Sequence, residues 1–498
     1  MPKSRPAGRI LADGAARGFA AEFLLLPTGL VTAAVLARVL GPVDYGRFSL
    51  VSSMVMWLTM TSVAVLGRAA IKLLSDAEDW RPVAATMLRM RVAIGAAGAG
   101  LLVVGADAAE RILGAEGIAP LLRVFALDVL LINLVRAHRE TLTGIGQYRD
   151  VATISAVRWI ARMVLMVVLV LWLRSVLAAV IASVLTSAIE LAVAARLQPL
   201  PWRATGGPSA RRLWDTAAPL LVFGLTFQLH TRIDLFALSS LQRHAVDVAQ
   251  ATGWYGAAQN LAVVPSLFMM TVAPLLLATL SRLVRDGHED HARRLANDVL
   301  RFTVWLVPGV AIVVVSASEL VLRIFGLSFA GAAPLLGLLF ASGEALCLLA
   351  VAVSILIAAD RSRLVSWLGV LLLGSSMVGQ LILVPRYGAL GAAMATLASA
   401  VLACTVALAG VHRAWGIHAL ATTVRVAILG GVVSLVGSQL TTTTWWGLII
   451  KLALLSMLSI GGLLVLRELS PADRQRLLAW RASRELGARD QLLPTERH

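Results

Sequence analysis

The chain has 498 residues, of which 58% are hydrophobic and only 14% charged, with a mean hydropathy of +0.83 and a formal net charge of +16. So little charge excludes an ordinary soluble protein. Apolar runs of about 20 residues, each enough to cross a ~30 Å hydrocarbon core, recur from end to end. The positive charge lies between those runs, where it sets orientation, and it is not a nucleic-acid surface.

Met1 to Gly18 is polar and basic, and the apolar stretch from Phe19 to Leu40 is too long for a cleavable signal peptide, so it is read as a retained first span. The apolar runs predict helices at 17–40, 47–73, 83–106, 118–137, 150–173, 175–197, 213–241, 253–282, 298–323, 331–358, 363–384, 388–411, 419–440 and 445–466. Basic residues crowd alternate connections, for example Lys72 and Arg81, then Arg136, Arg139 and Arg149, then Arg282, Arg285, Arg293 and Arg294. The connections between them hold little, such as Arg111, Arg174, Arg243 and Arg386. Under the positive-inside rule both termini are cytoplasmic, which fourteen spans satisfy and thirteen do not.

Gly95 to Gly100 supplies small residues for close helix packing in the third span. Pro27, Pro219, Pro265, Pro274 and Pro308 are expected to interrupt helices one, seven, eight and nine. Arg282 to Leu300 is amphipathic and is expected to run along the interface. Ser470 to Asp473 resembles a helix start that would set Leu477, Leu478 and Trp480 against lipid. Both are read as orientation anchors. Cys347 and Cys404 fall within apolar runs, as buried free thiols. No G-x-x-x-x-G-K-[ST] segment is present for an intrinsic ATP-driven pump, and neither H-E-x-x-H nor a Cys/His cluster for a metal.

Residues 13–75 and 215–285 can be laid over each other. Asp13-Gly-Ala-Ala matches Asp215-Thr-Ala-Ala, Tyr45-Gly46 matches Tyr255-Gly256, Met60-Thr61 matches Met270-Thr271, and Lys72 matches Arg282. Further on, Leu177-Ala-Ala-Val-Ile-Ala-Ser parallels Gly391-Ala-Ala-Met-Ala-Thr-Leu. An even number of helices separates the copies, so they are parallel repeats about an axis along the membrane normal. The expected architecture is an all-α membrane protein with an N-lobe (1–197), a C-lobe (198–416), an added helix pair (417–466) and a cytoplasmic tail (467–498).

The run Ala37-Arg-Val-Leu-Gly-Pro-Val-Asp-Tyr-Gly-Arg-Phe-Ser49 resembles the first external loop of the polysaccharide-transporter (Wzx-type) flippases. So do Arg232-Ile-Asp234, the segment Gly253-Trp-Tyr-Gly-Ala-Ala-Gln-Asn260, and Tyr387-Gly-Ala-Leu-Gly-Ala-Ala-Met-Ala-Thr396. The resemblance spans about Arg17 to Gly416. It implies a member of the multidrug/oligosaccharidyl-lipid/polysaccharide exporter superfamily, with two six-helix lobes around a central cavity. The implied substrate is a polyprenyl-diphosphate oligosaccharide, carried across a bacterial cytoplasmic membrane without covalent chemistry. Membrane lipids surround such a protein, and a polysaccharide polymerase and glycosyltransferases are its expected neighbours.

Moving a diphosphate-sugar headgroup through hydrocarbon calls for a hydrated cationic cavity, so ionisable residues within spans are the candidates. Helix seven carries Gln228, His230, Arg232 and Asp234, where i and i+4 share a face. Arg232 would contact a phosphate, with Asp234 holding it or taking a coupling cation; the alternative is pairing at the outer interface. Arg68 would receive the diphosphate from the inner leaflet or snorkel outward. Glu22 would pair with Arg68, bind a proton or Na⁺, or join a structural ion pair. Asn260 and Tyr255 would bond sugar hydroxyls, Tyr255 serving equally as an interfacial anchor. Arg158 and Arg162 are expected to meet anionic headgroups, and Asp128, Glu190, Glu319 and Glu344 to make packing or loop contacts. No cofactor is expected; coupling is to membrane potential, H⁺ or Na⁺. The alternatives are a multidrug–cation antiporter, which would want an acid-lined cavity, and a membrane glycan polymerase or ligase, which would want a large external loop.

Overall fold

The computed structural model describes residues 22–202, 204, 210–242, 247–417, 420–440, 442 and 444–466. The basic N-terminus, the start of the first span and the amphipathic tail helix lie outside the described residues. Leu25–Asp76 is helical throughout except at Gly41, whose φ of +72° favours glycine because no Cβ clashes there. The break yields α1 (25–40) and α2 (42–76), and Pro42 opens α2, where a backbone N–H would have no partner anyway. Then come α3 (Trp80–Leu113), α4 (Ile118–Gly144), α5 (Tyr148–Leu173), α6 (Val176–Leu197) and α7 (Ala210–Leu241).

Helix α8 runs Val248–Leu261 and resumes as Val264–Arg285; α9 runs Glu289–Val304 and resumes as Val307–Ile324. Pro265 and Pro308 are the second residues of the resumed segments, so these two prolines do interrupt helices. Pro219 and Pro274 do not: α7 and Val264–Arg285 continue through them, since one lost hydrogen bond bends a helix without ending it. A 3-10 turn (Leu327–Ala332) leads into α10 (Ala333–Ala358). Ser362–Trp415 is divided at Gly388, φ +56°, into α11 (362–387) and α12 (389–415), and α13 (Leu420–Gln439) and α14 (Trp445–Val465) follow. In the repeat Gly388 corresponds to Arg174, which closes α5 at a φ of +45°. Both lobes therefore make that turn with left-handed backbone.

These fourteen spans form an all-α membrane fold. Several run well past the apolar stretches that predicted them. Helix α3 continues to Leu113, where Gly114 at φ +62° donates its N–H to the Glu110 carbonyl and ends it, and α4 continues to Gly144. The amphipathic connector is the first segment of α9, with Ala292, Ala296, Leu300 and Val304 buried at four-residue spacing. Gly95 and Gly98 let α3 lie close on α4, as the sequence suggests: a Cβ on Gly95 would sit 3.1 Å from that of Asn133, and one on Gly98 3.1 Å from Val129 Cγ1.

The chain divides into two units, one of residues 1–296 and 317–417, the other of 297–316 and 418–498. In the second, Lys451 on α14 donates to the Val315 carbonyl at 3.0 Å, and Gly437 on α13 admits Val315 and Leu455. Cys347 and Cys404, in the first, are buried and free.

Candidate functional site: a closed end and a charged interior

At the end of the bundle that bears the arginine-poor connections, α2 and α8 pack backbone to backbone. A Cβ on Gly253 would lie 1.9 Å from the Pro42 carbonyl oxygen, one on Gly46 2.3 Å from that of Ala249, and one on Gly256 2.4 Å from Ser49 Oγ. Only glycine fits at these points. Beside this seam Tyr45 is fully buried, and its hydroxyl accepts from Asn260 Nδ2 at 2.7 Å. Its ring stands edge-on to Phe329, with centroids 5.6 Å apart. Trp254 Nε1 donates to the Ser328 carbonyl at 2.7 Å, and Arg38 donates to the carbonyls of Arg323 and Ile324. The two lobes are thus joined at this end by close glycine contacts and by hydrogen bonds from Asn260, Trp254 and Arg38.

Helix α7 sorts its polar residues by face. His230 and Asp234 are buried, while Gln228 and Arg232 are half-buried on another face. Asp234 makes no hydrogen bond or ion pair with Arg232, one of the two roles expected for it, because residues two apart on a helix point in different directions, and the two charges interact only at longer range. Its carboxylate accepts instead from the Tyr255 hydroxyl at 2.7 Å, Gln259 Nε2 at 3.0 Å and the Leu235 amide. Tyr255 is therefore neither an interfacial anchor nor a free sugar ligand, and Asn260 is engaged by Tyr45. Neither ring nitrogen of His230 has a hydrogen-bond partner among the described residues.

Towards the arginine-rich end, four helices converge on a set of charges. Glu22, just ahead of α1, accepts from Arg139 at 3.1 Å, Ser155 Oγ at 2.8 Å and Trp159 Nε1 at 3.3 Å. Arg139 also lies 3.5 Å from Glu190, whose other oxygen is 3.1 Å from Arg158. Arg158 in turn stacks over the Trp159 ring at 5.4 Å. The partner of Glu22 is thus Arg139; the side chain of Arg68 lies outside the described residues. Arg158 and Arg162 face inward among protein charges and not towards headgroups, because the helix-five face they share packs on α4 and α6.

Among the half-buried arginines of the spans, Arg136, Arg162 and Arg232 make no hydrogen bond or ion pair with any described residue. An unpaired guanidinium there costs several kcal/mol unless it faces water or an anion. Asp128, near Arg162, is bonded to Ser187 and has one oxygen without a donor among the described residues. Next to this set, Arg91 and Glu140 form a buried pair, with Arg91 also donating to the Ser62 carbonyl at 2.9 Å. Arg136 and Arg139 read from the sequence as connection residues because the apolar run stops at 137, and Glu140 follows them. Their three- and four-residue spacing on an extended helix was the signal that pointed inward.

A family model described as polysaccharide biosynthesis protein matches residues 35–334. No protein of curated function matches the chain by sequence. Among solved structures, the inward closed conformation of the lipid II flippase MurJ is 13% identical with a TM-score of 0.69, covering 90% of this chain and 98% of its own. The MATE multidrug transporter DinF-BH is 15% identical with a TM-score of 0.61, covering 83% and 98%. The Vibrio cholerae MATE transporter VcmN is 15% identical with a TM-score of 0.58, covering 82% and 96%. At these identities the likeness is one of fold.

Proposed function

The chain belongs to the family of polysaccharide biosynthesis proteins, and we propose that it is a flippase for polyprenyl-diphosphate-linked oligosaccharide in the bacterial cytoplasmic membrane. Both termini are then cytoplasmic, the glycine seam between α2 and α8 is the external closure, and the charged interior opens to the cytoplasmic leaflet. The observation that carries this reading is the presence, inside the spans, of half-buried Arg136, Arg162 and Arg232 with no hydrogen bond or ion pair to a described residue. An anionic headgroup supplies what they lack, as charge-assisted and bidentate hydrogen bonds. A cavity suited to a drug cation would present acids free of ion pairs in place of these guanidinium groups.

Alternating access follows if the seam parts and the arginine-rich end closes. An inside-negative potential favours outward movement of the anion by roughly 2.3 kcal/mol per charge per 100 mV, so direction needs no ATP. Proton or Na⁺ exchange at Asp234 or Glu22 is a second source of drive. No covalent step is required, so the protein is a carrier and not an enzyme; a polymerase and glycosyltransferases would act on either side of it.

The test is reconstitution in liposomes with a fluorescent polyprenyl-diphosphate oligosaccharide, following protection from an external quencher with and without a membrane potential. Transbilayer movement, accelerated by the potential and lost in Arg232→Ala, supports the reading. Absence of movement under any gradient, together with efflux of cationic dyes, would replace it with the antiporter.

A further inference from the structure

Helices α4, α5 and α6 share a bundle in which depth can be read from residue number, at ~1.5 Å per residue. Counting from the ends nearest the arginine-rich connections, at Gly144, Tyr148 and Leu197, Arg139 lies about 8 Å in, Glu190 about 10 Å, Arg158 about 15 Å, Arg162 about 21 Å and Asp128 about 24 Å. Three guanidinium groups thus lie at rising depth from the mouth to the middle of the membrane, with Glu190 beside the lower two and Asp128 beyond the third. The two lower levels are occupied: Arg139 by Glu22 and Glu190, Arg158 by Glu190. The top level is open, with Arg162 making no hydrogen bond or ion pair with a described residue and Asp128 keeping one oxygen without a donor among the described residues.

We propose that Arg139, Arg158 and Arg162 form a stepped path for the diphosphate, and that Arg162 is its station in mid-membrane, with Asp128 as the acid that displaces it. This rests on the flippase reading above. Phosphate and carboxylate offer a guanidinium the same planar pair of oxygens, so each step is an exchange of one anion for another and no charge is stranded. Arg139 is suited to the first exchange because it is shared between two carboxylates and can release Glu22 while keeping Glu190. Arg162 lies near Tyr45, the residue held by Asn260 in the external closure. A phosphate on Arg162 is therefore within electrostatic range of the seam that has to open next.

Asp128 gives the proposal a signature that a structural ion network would not share. If it competes with phosphate for Arg162, removing its charge strengthens binding; if it is a structural counter-ion, removing it weakens binding or unfolds the protein. The probe is a fluorescent polyprenyl-diphosphate disaccharide, measured by anisotropy with the purified full-length protein and by flipping in vesicles. Arg162→Ala is expected to weaken binding and slow flipping by about tenfold or more, the loss of a charge-assisted pair. Arg162→Lys, which keeps charge and bulk, should retain part of both and guards against a folding defect in the alanine variant. Asp128→Asn should bind the probe several-fold more tightly and release it more slowly. Unchanged flipping in both Arg162 variants, or binding in Asp128→Asn equal to or weaker than that of the parent, overturns the path. A parent protein that flips no probe at all overturns the flippase reading instead.

Discussion

Tyr45 on α2 and Asn260 on α8 are 215 positions apart and share a hydrogen bond of 2.7 Å, from the Asn260 amide to the buried Tyr45 hydroxyl. The bond joins two segments that the repeat places in different lobes, so it has to break whenever that end opens. Tyr45→Phe removes the acceptor and keeps the ring against Phe325 and Phe329. A typical net value for such a bond is about 1 kcal/mol, or roughly a fivefold shift in an open–closed equilibrium. The expected result is faster labelling of a Ser49→Cys reporter by an impermeant thiol reagent in Tyr45→Phe, with unchanged protein yield.

The glycine seam should respond more strongly. A methyl group at Gly253 has no room, because the obstacle is the Pro42 carbonyl of the facing backbone and not a side chain that can turn away. Gly253→Ala forces α2 and α8 apart, and overpacking of this kind costs about 1–3 kcal/mol. Labelling of the same reporter should rise well above that of Tyr45→Phe, and flipping should fall, since the closed half of the cycle is disfavoured. Gly100→Ala, at a position with nothing within 4 Å, is the control and should change neither.

The pair Arg91–Glu140 calls for a different expectation. Their side chains are 0% and 6% exposed, so losing one partner strands the other charge in the bundle. Either Arg91→Met or Glu140→Leu alone should cost about 3–5 kcal/mol, seen as a lowered melting temperature in detergent. The double variant Arg91→Met/Glu140→Leu should recover most of that loss, since a well-packed apolar replacement avoids both desolvation costs. A double variant no better than the singles would mean that the bond from Arg91 to the Ser62 carbonyl carries the stability instead.

Much of this fold was legible because hydrocarbon thickness dictates the length of an apolar run and basic residues mark alternate connections. The residues of the seam stood out as part of the flippase-like segments (Pro42, Gly46, Gly253 and Gly256), but the meeting of α2 and α8 there did not. The partners inside the lobes were not legible. Glu22 meets Arg139 and Glu190 meets Arg158 across different helices, and a single sequence carries no information on which faces of separate spans meet. Arg136 and Arg139 were misplaced for a simpler reason: α4 stays helical for two turns beyond its apolar run, because helix ends are fixed by backbone caps and not by hydropathy. On α7, the spacing did separate His230 and Asp234 from Gln228 and Arg232, but it did not show that Tyr255 and Gln259 would claim Asp234.

That claim leads to the last prediction. Asp234 is 2% exposed and its carboxylate accepts from Tyr255, Gln259 and its neighbour's amide, so three donors converge on one anion. Asp234→Asn keeps the shape but points an amide N–H₂ at one of those donors, leaving at least one without an acceptor. The cost should be about 1–3 kcal/mol of stability, with Tyr255→Phe milder because it deletes a donor and leaves the carboxylate two others. Both are measured as melting temperatures of the purified protein. If Asp234 also exchanges a coupling cation, folded Asp234→Asn should lose any dependence of flipping on a Na⁺ or proton gradient while still responding to membrane potential, which acts on the substrate's own charge. Retention of the gradient dependence in Asp234→Asn would leave this carboxylate with the packing of α7 on α8 alone and move the search for the coupling site to Glu22.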